Sequence, residues 1–344
     1  MSKHALGQFM TTNYEYILQN MHIPNEVDTI IEPFVGNGDL LKFIKNKKKY
    51  KIEKYDIDKK YKKICIMRDT LDDPPDYSDK FIITNPPFLA RNKSKNKKLF
   101  DKYDVNDLYK CFIKELITNI CLGGIIIVPL NFWCSIRKND IELRKLFLDV
   151  YHIIHINIFE ERVFDDTTYT ISCFQFEQIK KNTKINVTLY PSEKNIQVQL
   201  NHKNNYTIGG EIYNLEPSEK YKISRLTKLN KDDQNTNILV KCIDDNQDKK
   251  ISMSYVSDND IYTDNTPNQT SRTYMTLIIT PKINVAKQKK LVTKFNKYLN
   301  TQRNKYNSLF LTNYRESKDI ARKRISFDLV YLITQNILDN FDEY

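Results

Sequence analysis

The chain has 344 residues, 40% of them hydrophobic, enough for a packed core and about two domains of ordinary size. No stretch approaches the roughly 20 consecutive apolar residues that span a bilayer, and the first residues lack the apolar centre of a signal peptide, so a soluble, intracellular protein with no membrane partner is expected. The net charge is +11, which suits an acidic polymer as partner; the six cysteines lack Cys-x-x-Cys spacing and the five histidines lack ligand spacing, so neither a disulfide framework nor a metal site is expected.

In chain order, apolar runs at 29–32, 52–55, 64–67, 81–84, 125–129, 153–158 and 170–176 predict strands. Between them, Leu108, Phe112, Leu116 and Ile120 recur every four residues and predict a helix over 107–120. A second helix is predicted at 141–148 and another beginning near Leu40. Strand–helix alternation of this kind predicts a parallel sheet with covering helices. The alternation stops near 180, where a boundary is placed. Beyond it, β-like pieces at 185–190, 196–200 and 274–280 are separated by polar loops. A basic amphipathic helix at 285–299 and an apolar one at 328–338 close the chain. The positive charge sits here: residues 281–324 hold 13 basic side chains against two acidic ones. A field concentrated in this way attracts a polyanion. Lys287, Lys290, Lys294, Arg315, Arg322 and Arg324 are the candidates for contacting it. Lys, Asn, Ile and Tyr are common and Gly is scarce, a coding bias of AT-rich genomes, so a lysine alone is not read as a contact. A bacterial or large DNA-virus source fits that bias, and the scattered cysteines fit a cytoplasmic or other reducing intracellular compartment.

Four features fall at predicted strand ends, where open α/β sheets bind ligands. The first strand runs through Glu32-Pro33 into a turn holding Gly36 and Gly38, whose missing side chains let backbone approach a ligand. The second ends in Asp56, placed to accept hydrogen bonds from ribose hydroxyls. Asp69 follows the third. The fourth runs into Asn85-Pro86-Pro87-Phe88. Two prolines stiffen that turn and remove two N–H donors, so it presents a carboxamide, a free carbonyl and an aromatic ring. An amine held between two acceptors loses conjugation with its ring, and its lone pair can attack a methyl sulfonium. The basic run after this turn, with Arg91, Lys93 and Lys95, reads either as a loop clamping a phosphate backbone or as an insertion.

These motifs, in this order, resemble the N6-adenine DNA methyltransferases, particularly the gamma-type group with cofactor motif first, catalytic motif next and target recognition last. The resemblance covers about residues 5–178. It implies a Rossmann-like class I methyltransferase domain over 1–180, with a mostly parallel seven-stranded sheet and flanking helices. It implies a smaller mixed α/β target-recognition domain over 181–344. The cofactor implied is S-adenosyl-L-methionine. Gln8, Phe9 and Thr11 match the N-terminal motif that folds over the cofactor's methionine end. Glu32, Pro33, Gly36 and Gly38 match the glycine-rich motif, Asp56 the ribose acid and Asp69 the residue reading the cofactor's adenine. Asn85, Pro86, Pro87 and Phe88 match the catalytic turn. Phe88 would stack on the extruded base, with Phe176, or else Phe174, on its other face; the alternative is that both are sheet-core aromatics. The chain departs from the family where Asn13, not proline, follows Thr12. The implied activity is sequence-specific methylation of adenine N6 in DNA by a stand-alone modification enzyme, paired with a separate restriction endonuclease. Methylation of cap or ribosomal RNA is the nearest alternative, protein glutamine methylation a further one, and a non-catalytic binding subunit the alternative from another class.

Overall fold

In the computed structural model, the structure describes residues 7, 9, 11–164, 169–178, 184–244, 250–265, 273–314 and 322–341. The chain divides into two compact units after Leu200.

The first unit is built on one nine-stranded sheet. Its strands are β1 (Thr29–Glu32), β2 (Lys51–Asp56), β3 (Ile66–Met67), β4 (Lys80–Thr84), β5 (Gly123–Pro129), β6 (His152–Phe159), β7 (Ile171–Glu177), β8 (Ile185–Tyr190) and β9 (Lys194–Val198). Their spatial order is β3-β2-β1-β4-β5-β7-β6-β8-β9. The first five strands pair in parallel, and β7 enters antiparallel between β5 and β6. This is a Rossmann-like, mostly parallel sheet, extended at one edge by β8 and β9. Every residue of β5 is buried, as expected of a central strand covered on both faces. Two helices, α2 (Leu108–Thr118) and α3 (Lys138–Val150), follow a shorter α1 (Lys98–Tyr103), and α2 packs on α3. Leu108, Phe112 and Leu116 are buried as their spacing predicts, whereas Ile120 lies past the helix end and is 39% exposed.

Three sequence expectations need correction. The sheet has nine strands, not seven, because β8 pairs parallel with β6 and carries β9 antiparallel beside it. The first unit therefore runs to Leu200 and not to 180. No α-helix begins at Leu40; the lysine-rich link from β1 to β2 forms only 3-10 turns, Leu40–Phe43 and Lys47–Lys49.

The second unit is smaller and mixed. It holds β10 (Lys222–Arg225), β11 (Ile238–Lys241), β12 (Ile243–Asp244), β13 (Ser252–Tyr255), β14 (Tyr274–Thr280), β15 (Thr312–Tyr314) and β16 (Arg322–Arg324). These form an antiparallel sheet β10-β14-β11-β13 and a small sheet β12-β16-β15. Helix α4 (Val285–Tyr306) packs on β13, and α5 (Phe327–Asp339) packs on α4 and β10. Leu291, Phe295 and Leu299 form the buried stripe of α4. Among the described residues no helix is long and apolar enough to cross a membrane.

Candidate active site

Strand order reverses between β1 and β4: β2 and β3 extend the sheet one way, β4 and β5 the other. Chain ends diverge at such a switch point and leave a crevice beyond the strands' carboxyl ends. A cavity of about 270 Å3 lies there. Its walls are the glycine turn (Phe34 to Asn37), the end of β2 (Asp56, Ile57), the segment after β3 (Arg68 to Leu71), the turn after β4 (Asn85, Pro87) and residues 94–108. Phe9 and Thr11 of the N-terminal segment close it.

The glycine turn is tied to β2. Gly36 and Gly38 have φ of 50° and 77°, left-handed values that cost side-chain-bearing residues energy. The Gly36 N–H donates to Asp56 Oδ2 at 2.9 Å and the Val35 N–H to the Tyr55 carbonyl at 2.9 Å. Asp56 Oδ1 accepts from the Asp58 N–H at 2.8 Å. Burial raises the Asp56 carboxyl above the usual range, while the backbone N–H groups of Asp58 and Gly36 pull it back. Asp69 lines the cavity and also caps its own turn, accepting from the Leu71 N–H at 3.1 Å. Glu32, Pro33 and Gly38 are not on the cavity wall. Glu32 lies beneath the turn, 1% exposed, and its Oε1 accepts from the Phe34 N–H and the Thr84 hydroxyl. It braces β1 against β4.

The turn after β4 is held from the N-terminal side. The Phe88 N–H donates to the Gly7 carbonyl at 2.9 Å. Asn85 Nδ2 donates to the Phe9 carbonyl at 3.1 Å and to Thr11 Oγ1 at 3.0 Å. Asn85 Oδ1 is buried and has no hydrogen-bond partner among the described residues. A buried acceptor left unpaired costs on the order of 1–3 kcal/mol, so such an atom asks for a ligand. Pro87 lines the cavity; Pro86 and Phe88 do not. Phe88 is 2% exposed, its ring packed against Phe9 (centroids 5.6 Å apart), Tyr109 (6.0 Å) and Tyr169 (5.9 Å).

Phe174 and Phe176 do not reach this site. Both are fully buried in a core cluster, Phe174 against Phe132, Trp133 and Phe147, and Phe176 against Phe147 and Tyr151. Alternation along β7 puts them on one face, but it is the face turned to that core. The aromatics that do gather round Phe88 are Phe9, Tyr109, Tyr169 and, stacked on Phe9 at 6.4 Å, Phe164. Phe164 and Tyr169 stand within the 161–170 stretch that leads into β7, which resembles the family's corresponding segment; that match was the available signal for a site role.

The basic candidates divide. Arg91 pairs with Asp101 at 2.7 Å, Lys98 pairs with Asp72 at 2.8 Å, and Lys97 donates to the Arg91 and Ser94 carbonyls. This stretch folds down, and Ser94 and Asn96 line the cavity, so it is not a free loop. Lys93 and Lys95 are exposed. On α4, Lys290 is exposed, Lys287 donates to the Tyr221 hydroxyl at 2.9 Å, and Lys287 and Lys294 lie 4.8 and 5.0 Å from the Phe341 ring. The Arg324 guanidinium lies 5.6 Å from the Phe327 ring. Gln8, Arg315 and the Arg322 side chain lie outside what the structure describes.

No family model matches the chain, and no curated protein matches it. Among solved structures it is similar to the type IIG restriction endonuclease BpuSI, with 13% identity over 67% of this chain and 37% of that one and a TM-score of 0.41. It is similar to the type I restriction-modification methyltransferase subunit from Streptococcus thermophilus, with 14% identity over 55% and 47% and a TM-score of 0.38. It is also similar to the M protein of the type I restriction enzyme EcoKI, with 11% identity over 98% and 71% and a TM-score of 0.42. The chain spans less than half the length of the first two.

Proposed function

We propose that this chain is an S-adenosylmethionine-dependent methyltransferase acting on the N6 amine of adenine in DNA. The observation that carries the reading is the buried, unpaired Oδ1 of Asn85, a residue on the wall of a cavity shared with the glycine turn and Asp56. The residues present suit the cofactor. Asp56 is placed to take the ribose hydroxyls, Asp69 the adenine amine, and the backbone around Gly36 leaves room for close approach. When bound, S-adenosylmethionine supplies a methyl group already activated as a sulfonium.

The chain's own groups do the rest. Asn85 Oδ1 accepts one N–H of the target amine and the Pro86 carbonyl accepts the other. Held this way, the nitrogen lone pair turns out of the ring system and towards the methyl carbon. Catalysis rests on positioning and on polarising the amine, without a protein nucleophile. Phe88 takes one face of the extruded base once the Phe9 ring, but not its carbonyl, turns away, and Tyr169, half-buried beside it, takes the other face. The second unit supplies nucleic-acid contacts through the exposed lysines of α4.

The test is transfer of labelled methyl from S-adenosylmethionine to duplex DNA and to RNA, followed by digestion to nucleosides. N6-methyldeoxyadenosine is the expected product; label in RNA alone, or in neither polymer, sinks the reading. Asn85→Ala is expected to lower kcat by roughly a hundredfold or more with cofactor affinity nearly unchanged. Asp56→Ala is expected to weaken cofactor affinity, read by calorimetry.

A further inference from the structure

The N-terminal segment touches the turn after β4 at both of its ends. Gly7 accepts the Phe88 N–H at 2.9 Å, while the Phe9 carbonyl and Thr11 Oγ1 take the Asn85 amide nitrogen at 3.1 and 3.0 Å. Gly7 sits at φ +66°, and a Cβ there would come within 2.8 Å of the Phe88 carbonyl oxygen, so the approach requires glycine. Thr11 is 5% exposed, so water does not substitute for its hydroxyl.

A carboxamide has two ends of similar shape and opposite hydrogen-bonding character. Rotated by half a turn, Asn85 would point its NH2 group at the incoming amine, donor against donor. Nothing in the Asn85 side chain itself prevents this. Its surroundings do: a carbonyl oxygen can only accept, and the threonine hydroxyl is placed to accept beside it. Together they hold the amide nitrogen and leave Oδ1 as the end without a partner among the described residues.

We propose that Thr11 is a positioning residue, which with the Phe9 carbonyl sets the orientation of the Asn85 carboxamide and so its power to accept from the target amine. This goes beyond a place in a cofactor lid, and it rests on the methyl-transfer reading of Asn85. Thr11→Val keeps the shape and removes the acceptor. It is expected to lower kcat at saturating cofactor about tenfold, the order of one hydrogen bond lost from a buried donor, with cofactor Kd unchanged and Tm lowered by no more than the few degrees that such a bond is worth. Thr11→Ser restores the hydroxyl and is expected to recover kcat. Gly7→Ala, which displaces the segment from its other end, is expected to lower kcat as well.

A readout independent of turnover is the Asn85 side-chain NH2 resonance pair in selectively labelled protein. It is expected to keep its hydrogen-bonded shift in Thr11→Ser and to move in Thr11→Val. Thr11→Val with full kcat and an unmoved NH2 pair overturns the proposal, even if Asn85→Ala is inactive. A raised cofactor Kd with kcat intact also overturns it, because Thr11 is then a cofactor contact. Full activity in Asn85→Ala removes the methyl-transfer reading itself, which is a separate failure.

Discussion

Glu32 shows how one buried carboxyl makes this site depend on pH. Burial beneath the glycine turn pushes its pKa up to about 8, against the lowering by the Thr84 hydroxyl and the Phe34 N–H; the nearby Asp56 charge adds to the rise. The folded protein therefore holds a proton that the unfolded chain releases above about pH 4.5. Stability from this group is complete below that pH and is lost as pH climbs through 8, with a slope of about 1.4 kcal/mol per pH unit. Glu32→Gln keeps an acceptor for Thr84 and cannot ionise, so its urea unfolding free energy is expected to lack that slope. Superimposable pH profiles for the two proteins would mean that Glu32 ionises freely in the fold. At this scale the sequence was most legible where chemistry sits at a strand end. Asn85, Asp56 and Gly36 converge because each follows a strand whose carboxyl end faces the same crevice. It was least legible for Phe174 and Phe176. A two-residue spacing says that two rings share a face, not whether that face meets a cleft or a core.

Between elements, one tie between helices is a buried ion pair. Lys110 of α2 and Asp140 of α3 form an ion pair with side chains only 9% and 8% exposed. Asp140 also accepts from the Ser135 hydroxyl at 2.6 Å, and Lys110 donates to Asn106 Oδ1 at 2.8 Å. Removing one partner leaves a buried charge without its counter-charge, so Asp140→Ala is expected to cost roughly 3–5 kcal/mol in denaturant unfolding. Replacing both with apolar residues of similar volume is expected to cost far less. Equal losses in the single and double variants would show that packing, not charge, holds α2 to α3. Local periodicity revealed the strands of the first unit, with limits off by up to about two residues, because most are apolar runs bounded by polar turns. It did not reveal where β8 and β9 belong. Their alternation is that of any half-buried strand, and the parallel partner β6 lies more than a hairpin away along the chain. Nor did the basic run after Asn85 show its acidic partners, Asp72 and Asp101, which only the fold brings near.

Over the whole molecule, net charge overstates the free positive surface. Residues 281–324 carry 13 basic side chains against two acidic ones, yet several are spent inside the second unit. Arg303 donates to the Ile251 carbonyl at 2.9 Å and pairs with Asp244, and burial lowers its pKa below the usual arginine value. Lys305 pairs with Glu211 at 3.1 Å, and Lys287 holds the Tyr221 hydroxyl. The face of α4 opposite Leu291, Phe295 and Leu299 is different: Lys289, Lys290 and Lys297 are exposed along it. Cations of that kind displace condensed counterions from a phosphate backbone, and each contact adds about 0.9 to the slope of log affinity against log salt for duplex DNA. Lys290→Ala with Lys297→Ala is therefore expected to lower that slope by about two while leaving Tm unchanged. Arg303→Ala is expected to lower Tm, because it strips a buried donor from two acceptors and not a phosphate. Anisotropy of labelled duplex over a potassium chloride series measures the slopes, and thermal unfolding separates the two kinds of cation. An affinity indifferent to salt, or a slope untouched by the lysine pair, would remove α4 from the nucleic-acid surface and leave its lysines as a solvated helix face.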